Sequence, residues 1–213
     1  MTGLVIPVRI GALASGGGSN LQAIIDQCEN GGIPAEVVCI ISNNSSSGAL
    51  DRAEKHGIPH AHMSSVTHPD TAELDRAVCN FMAQHGVTLV ALCGYMKKLG
   101  STTLSTFTPY ILNVHPALLP AHGGKGMYGL NVHEAVIAAG ETVSGVTVHL
   151  VNEAYDTGPI LAQRKVPVVR GDTPEDLQKR VLIQEHRLYT EVIKALGDGT
   201  VRIVDGEPTQ VLG

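Results

Sequence analysis

The sequence has no tryptophan and two phenylalanines, and aromatic residues make up 3% of its 213 positions. A β-sandwich packed around aromatic rings is a poor fit, whereas 24 glycines suit a parallel α/β protein with tight turns. Charge is scarce too: 16% of residues are charged and the net charge is −5, so no basic surplus exists to grip nucleic acid. That balance leaves room for a small anion held by local geometry. No run reaches the roughly 20 apolar residues of a membrane span. The stretch from Met1 to Ala14 is apolar, but it lacks a basic segment and Arg9 interrupts it. It reads as a lead-in to a first strand, not a signal peptide. Cys28, Cys39, Cys79 and Cys93 show neither C-x-x-C nor zinc-site spacing, and most fall in apolar stretches where a thiol behaves as a small hydrophobe. This usage suits a reducing compartment, so the expectation is a soluble, cytoplasmic protein with no metal.

What is present is enough for a core: 43% of residues are hydrophobic, which excludes a disordered chain. Apolar runs predict strands at Val8 to Ala14, Val37 to Ile41, Ile58 to Met63, Val87 to Cys93, Tyr110 to His115, Val146 to Val151 and Ile160 to Val166. Helical spacing predicts Leu21 to Glu29, Ala49 to His56, a helix capped by Asp70 and running to about Gln84, Val132 to Ala139, and one capped by Thr173 and running to about Leu196. Val201 to Val204 and Thr209 to Leu212, around Asp205-Gly206, suggest a closing hairpin. Alternating β-α units of this kind give an α/β fold, a mostly parallel twisted sheet with helices on both faces. Ligands then sit at the carboxyl ends of the strands, so the residues just after each strand matter most.

Ser15-Gly16-Gly17-Gly18-Ser19-Asn20 lies between the first strand and the first helix. Glycines let the backbone approach a ligand closely, and a helix start offers free N–H groups to an anion. A phosphate loop, a plain tight turn and a dinucleotide fingerprint compete. Leu21 stands where the fingerprint needs its third glycine, and the second strand ends in Ser42-Asn43-Asn44 with no carboxylate for a ribose diol. No Gly-Lys-Ser/Thr follows, so a Walker loop is out. If a ligand sits there, it is a monophosphate.

Asn113 and His115 share one face of a strand that Pro116 stops. Left buried without partners they would cost about 1–3 kcal/mol each, so a cleft is the alternative to a satisfied polar pair bounding a loop. There an Asn N–H could hold a developing oxyanion and a His could move a proton. Asp156, before Thr157-Gly158-Pro159, is either an ordinary turn former or a partner that raises the pKa of His115 and orients it.

Taken in order, Ala14-Ser15-Gly16-Gly17-Gly18-Ser19-Asn20-Leu21-Gln22-Ala23-Ile24, Gly94-Tyr95-Met96, Asn113-Val114-His115-Pro116-Ala117-Leu118-Leu119-Pro120, Ser144-Gly145-Val146-Thr147-Val148-His149, Asp156-Thr157-Gly158-Pro159-Ile160 and Gln184-Glu185-His186 form a set. From about residue 8 to 205 the chain resembles the folate-dependent formyltransferases. The resemblance implies a Rossmann-like fold in a single domain, 1–213, with a phosphate-binding half to about residue 100 and a catalytic, folate-binding half beyond. It implies transfer of the formyl group of 10-formyltetrahydrofolate, as co-substrate, to the amine of glycinamide ribonucleotide in purine synthesis. Asn113, His115 and Asp156 match the family's catalytic trio. Gly18, Ser19 and Asn20 match its substrate-phosphate loop, and Gln184 and Glu185 its substrate-binding segment, with Glu185 on the ribose. Met96, Lys97, Lys98 and Leu99, with Asn152, Glu153, Ala154 and Tyr155, match the folate pocket. The implied partners are these two small molecules, with neither nucleic acid nor membrane, and a homodimer is left open.

The chain departs from the family at three places. Lys97 stands where an Arg is frequent, Thr71 where a basic residue often meets the folate tail, and the loop Ala121 to Gly129 has an unfamiliar form in which Lys125 could restore a cation. His60 and His62 share a strand face without a carboxylate or Cys nearby and read as solvent-facing; His149 reads as either a residue supporting the site or a core histidine; His186 reads as structural. A formyltetrahydrofolate hydrolase is expected to carry an extra amino-terminal domain, yet only about seven residues precede the first strand. A formyltransferase acting on aminoacyl-tRNA is expected to carry a further basic domain. A non-catalytic nucleotide-binding module would have no use for Asn113 and His115 together.

Overall fold

The computed structural model describes residues 7–213, so the reading of Met1 to Ile6 falls outside the described residues. Seven strands form one sheet: β1 (Val8–Ala14), β2 (Ala35–Ser42), β3 (His60–His62), β4 (Leu89–Leu92), β5 (Ile111–His115), β6 (Val143–Leu150) and β7 (Ile160–Pro167). Their order is β3-β2-β1-β4-β5-β6-β7. The strands β3 to β5 pair in parallel, and β6 and β7 join antiparallel. The described residues also form six helices: α1 (Ser19–Glu29), α2 (Gly48–Lys55), α3 (Thr71–Gln84), α4 (Ser101–Phe107), α5 (Leu130–Ala138) and α6 (Pro174–Gly197). No described helix is long and apolar enough to cross a membrane.

Strand periodicity divides the core between the two faces. Ile10, Ala12, Leu89, Ala91 and Leu112 join one cluster with α1, α5 and α6, while Leu13, Val90, Leu92 and Ile111 join another with α3 and α4. Both faces of β4 are covered, which is why all four of its residues are apolar and buried. The long helix α6 starts on a complete capping box between Thr173 and Asp176, with Pro174 at its first turn. Leu177, Val181, Leu188 and Val192 line its buried face at helical spacing. Its buried Tyr189 hydroxyl lies 3.0 Å from the Leu112 carbonyl and 3.2 Å from that of Leu92, fixing the helix over the ends of β4 and β5.

Two elements differ from expectation. Helix α4 was not foreseen, because its amino-terminal cap comes from another helix: the Asp75 carboxylate of α3 accepts from Thr102 N at 2.7 Å and Thr103 N at 3.2 Å. The closing hairpin is also tighter. Ile203–Val204 (β8) pairs with Glu207–Pro208 (β9) across Asp205-Gly206, whose φ values of 53° and 84° fit a two-residue primed turn. The expected second arm, Thr209 to Leu212, instead runs on to bridge Ala162 through Leu212.

Candidate active site

A cavity of about 510 Å³ opens at the carboxyl ends of β4 and β5. One end meets Ser19 and Asn20 from α1 and Gln178, Leu182 and Glu185 from α6. Other walls are Met96, Lys97, Lys98 and Leu99 after β4, and Asn152, Glu153, Ala154 and Tyr155 after β6. Asn113, His115, His149 and Asp156 also line it. The structure therefore brings together most of the residues singled out from the sequence. Two stand apart from the lining: Gly18, the residue before α1, and Gln184, whose helical position is turned away from the face carrying Gln178, Leu182 and Glu185. Lys125 lines the cavity, whereas Thr71, the first residue of α3, does not.

The polar centre follows from sheet register. Asn113 and His149 are cross-strand partners on β5 and β6, so their side chains project from the same face. Asn113 Nδ2 lies 3.1 Å from His149 Nε2. His149 Nδ1 lies 2.8 Å from the Leu150 carbonyl, which can only accept; Nδ1 is thus the protonated nitrogen, and Nε2 accepts from Asn113. By the same logic His115 donates from Nε2 to the His122 carbonyl at 2.8 Å, leaving Nδ1 as the basic nitrogen. Asp156 reaches between the two rings: Oδ2 is 3.6 Å from His115 Nδ1 and Oδ1 is 3.6 Å from His149 Nε2. Gly124 N donates to Asp156 Oδ2 at 2.8 Å. The loop Ala121 to Gly129 is thereby tied to the carboxylate. Asp156 sits at φ 56°, a left-handed conformation unusual for a non-glycine residue. After it, a Cβ on Gly158 would run into the Leu150 carbonyl, so the turn that delivers Asp156 needs glycine there.

Burial decides the protonation of this cluster. His115 is 3% exposed, and desolvation lowers its pKa more than the charge of Asp156 raises it. Asp156 does pull the His115 pKa upward, as its pairing with the ring leads one to expect, but the loss of water outweighs it and the net shift is downward. For Asp156 itself burial pulls upward, and the Gly124 N–H on Oδ2 together with the positive charge that the two neighbouring imidazoles can carry outweighs it, holding the carboxyl below its ordinary value. Glu185, 8% exposed, is raised by burial and partly offset by Asn20, whose Nδ2 donates to Glu185 Oε2 at 2.7 Å. The Asn20 Oδ1 has no protein partner among the described residues and stands ready for a donor in the cavity.

His133 was not singled out from the sequence. It is 1% exposed, lines the cavity from α5, leaves Nδ1 without a partner among the described residues, and is lowered to about 4 by burial and by the neighbouring His115. The only local signal is its place at the start of a helix just after a glycine-rich loop. Among the described residues no group of three or more His, Cys, Asp or Glu could hold a metal. His60 is exposed and His62 half-buried.

A mostly parallel α/β sheet with an amide, two imidazoles and a carboxylate lining the cavity at its carboxyl end defines a group-transfer enzyme. The formyl transferase family model matches residues 8–193, and the chain belongs to that family. It is 41% identical over 195 residues to a chloroplastic phosphoribosylglycinamide formyltransferase of Arabidopsis thaliana, covering 91% of this chain and about two thirds (67%) of that protein. It is 40% identical over 197 residues to the phosphoribosylglycinamide formyltransferase of Haemophilus influenzae, covering 92% of this chain and 91% of that one. Among solved structures it resembles glycinamide ribonucleotide transformylase 1 of Symbiobacterium toebii, with a TM-score of 0.88, 40% identity and coverage of 97% of this chain and 94% of that one.

Proposed function

We propose that the chain transfers the formyl group of 10-formyltetrahydrofolate to the amine of glycinamide ribonucleotide, giving the formylated nucleotide and tetrahydrofolate. The observation that carries this reading is the position of Asn113, His115 and Asp156 in one cavity with the Ser19–Asn20–Glu185 cluster and the segments 96–99 and 152–155. In this reading the acceptor's phosphate lies against the glycine loop and its ribose against Glu185. The folate lies between Met96 to Leu99 and Asn152 to Tyr155, with Lys97, Lys98 and Lys125 as the cations available to its tail.

The chemistry follows from the tautomers. The amine attacks the formyl carbon, and one Asn113 N–H, the other being held by His149, meets the oxygen on which charge develops. His115 enters neutral and takes the amine proton on Nδ1, where Asp156 stabilises the imidazolium. The carbon–nitrogen bond to folate then breaks, and the proton passes to the departing nitrogen. This balances without a metal, an oxidant or a reductant. Asp156 is thus a partner that stabilises the proton in passage rather than one that fixes it on His115 beforehand.

The same reading takes residues 1–213 as one domain, with the glycine loop supplied by the half to about residue 100 and the catalytic trio by the rest. It places the protein in the cytoplasm, on the strength of four free thiols, and leaves room for a homodimer. A spectrophotometric assay with glycinamide ribonucleotide and a 10-formyl donor tests it. The donor should be consumed only when the amine is present, and Asn113→Ala and Asp156→Ala should each lower kcat by about a hundredfold or more, as expected for loss of an oxyanion donor or of the charge behind the base. Equal consumption with water alone would favour a hydrolase instead.

A further inference from the structure

The glycine loop is held by a second element that does not itself line the cavity. Three consecutive carbonyls point to the segment after β2: Ser15 O accepts from Asn44 Nδ2 at 3.3 Å, Gly16 O from Ala49 N at 3.2 Å, and Gly17 O from Arg52 Nε at 2.8 Å. With these carbonyls tied back, the N–H groups of Gly16 through Asn20 have no acceptor among the described residues. A run of backbone N–H groups left free at a helix start is an anion nest. An independent feature points to a ligand here, one carrying a hydrogen-bond donor beside its anion: Asn20, 8% exposed and lining the cavity, keeps the acceptor Oδ1 unpartnered among the described residues.

Of the three tethers, Arg52 is the charged one, and it is itself braced. Its Nη1 donates to Gln22 Oε1 at 2.7 Å, Gln22 Nε2 donates to Asp26 Oδ1 at 2.7 Å, and the same Gln22 nitrogen lies 3.1 Å from His56 Nε2. His56 Nδ1 lies 2.7 Å from Glu29. Arg52 thus spans the loop and the first turns of α1, joining the Gly17 carbonyl to a side chain one turn into the helix. If Gly17 O swung into the cavity, it would present a partial negative charge where a phosphate is to bind.

We propose that Arg52 is a positioning residue for the acceptor phosphate: by holding the Gly17 carbonyl on the α2 side, it keeps the loop's N–H groups turned to the anion without touching the anion itself. This rests on reading the acceptor as phosphorylated and its phosphate as lying on the loop. The test compares kcat/KM for the phosphorylated acceptor and for the same acceptor without its phosphate, together with inhibition by inorganic phosphate, in wild type, Arg52→Met and Arg52→Lys. Arg52→Met should lower the preference for the phosphorylated acceptor by about tenfold, carried by KM rather than kcat, and should weaken phosphate inhibition by a similar factor. Arg52→Lys, which retains a donor, should recover most of both. Equal losses on the two acceptors, or an unaltered preference in a folded Arg52→Met protein, would overturn the proposal. A wild-type enzyme with no preference for the phosphorylated acceptor and no inhibition by phosphate would remove the phosphate reading on which it stands, a failure distinct from that of Arg52 alone.

Discussion

Glu185 shows how a functional side chain can work against the fold that carries it. It is buried beside Asn20, and burial raises its carboxyl above the value it has in the unfolded chain, where it would titrate near 4.5. The folded state therefore holds this proton more tightly than the unfolded state. Stability from this group is fully present below the unfolded pKa and is lost as pH rises through the folded one. Above the folded pKa the ionised carboxylate is a cost to stability, borne by the group that the proposed function sets against the acceptor's ribose. Glu185→Gln keeps the shape and an oxygen for the Asn20 donor but removes the charge. Its melting temperature should exceed that of wild type at pH 8, with the gap closing towards pH 4.5, while the KM for the acceptor rises. A variant less stable than wild type at pH 8 would contradict the assignment of the burial cost. His115 and His149 show a different use of the backbone: the His122 carbonyl holds a proton on Nε2 of one ring and the Leu150 carbonyl holds one on Nδ1 of the other.

Helix α6 ties the site together, since its middle carries Glu185 and Tyr189 while its start is a surface cap. Both members of the capping box are polar and local, and the four-residue pattern from Thr173 to Asp176 was legible in the sequence as a helix start. Thr173→Ala should cost about 1 kcal/mol, a fall in melting temperature of roughly 2–4 °C for a chain of this size. Calorimetry measures it, and kcat should hold because neither Thr173 nor Asp176 lines the cavity. Helix α4 marks where local reading ends. Its cap, Asp75, lies 27 residues before Thr102, and nothing in Ser101 to Phe107 announces that a carboxylate from α3 will satisfy its first N–H groups. The closing hairpin fell between the two: Asp205-Gly206 marked the turn, but the second arm could be placed only by the two-residue geometry that turn imposes. Asn113 and His115 were legible as a pair because a strand's period is two and Pro116 ends it. His149 entered the site through the β5–β6 register, and that register is antiparallel, a pairing that an apolar run alone does not disclose.

The whole molecule explains why residues so far apart in sequence meet. The parallel strands β1, β4 and β5 end on the same side, so Ser19–Asn20, Met96–Leu99 and Asn113–His115 open towards one cavity, and the antiparallel β6 returns His149 alongside Asn113. The turn before β7 then delivers Asp156. In the proposed function these walls hold the two reactants beside one polar cluster, as transfer between two bound molecules requires, because the reacting atoms must be held about 3–3.5 Å apart. The most direct measurement is a crystal structure of the chain with glycinamide ribonucleotide and a folate analogue that cannot give up its formyl-equivalent carbon. The phosphate should lie on the N–H groups around Ser19 and Asn20, the ribose on Glu185, and the amine within about 3.5 Å of the analogue carbon beside Asn113 and His115. An acceptor bound with its amine away from Asn113 and His115, or a folate outside the walls formed by segments 96–99 and 152–155, would contradict the proposed function.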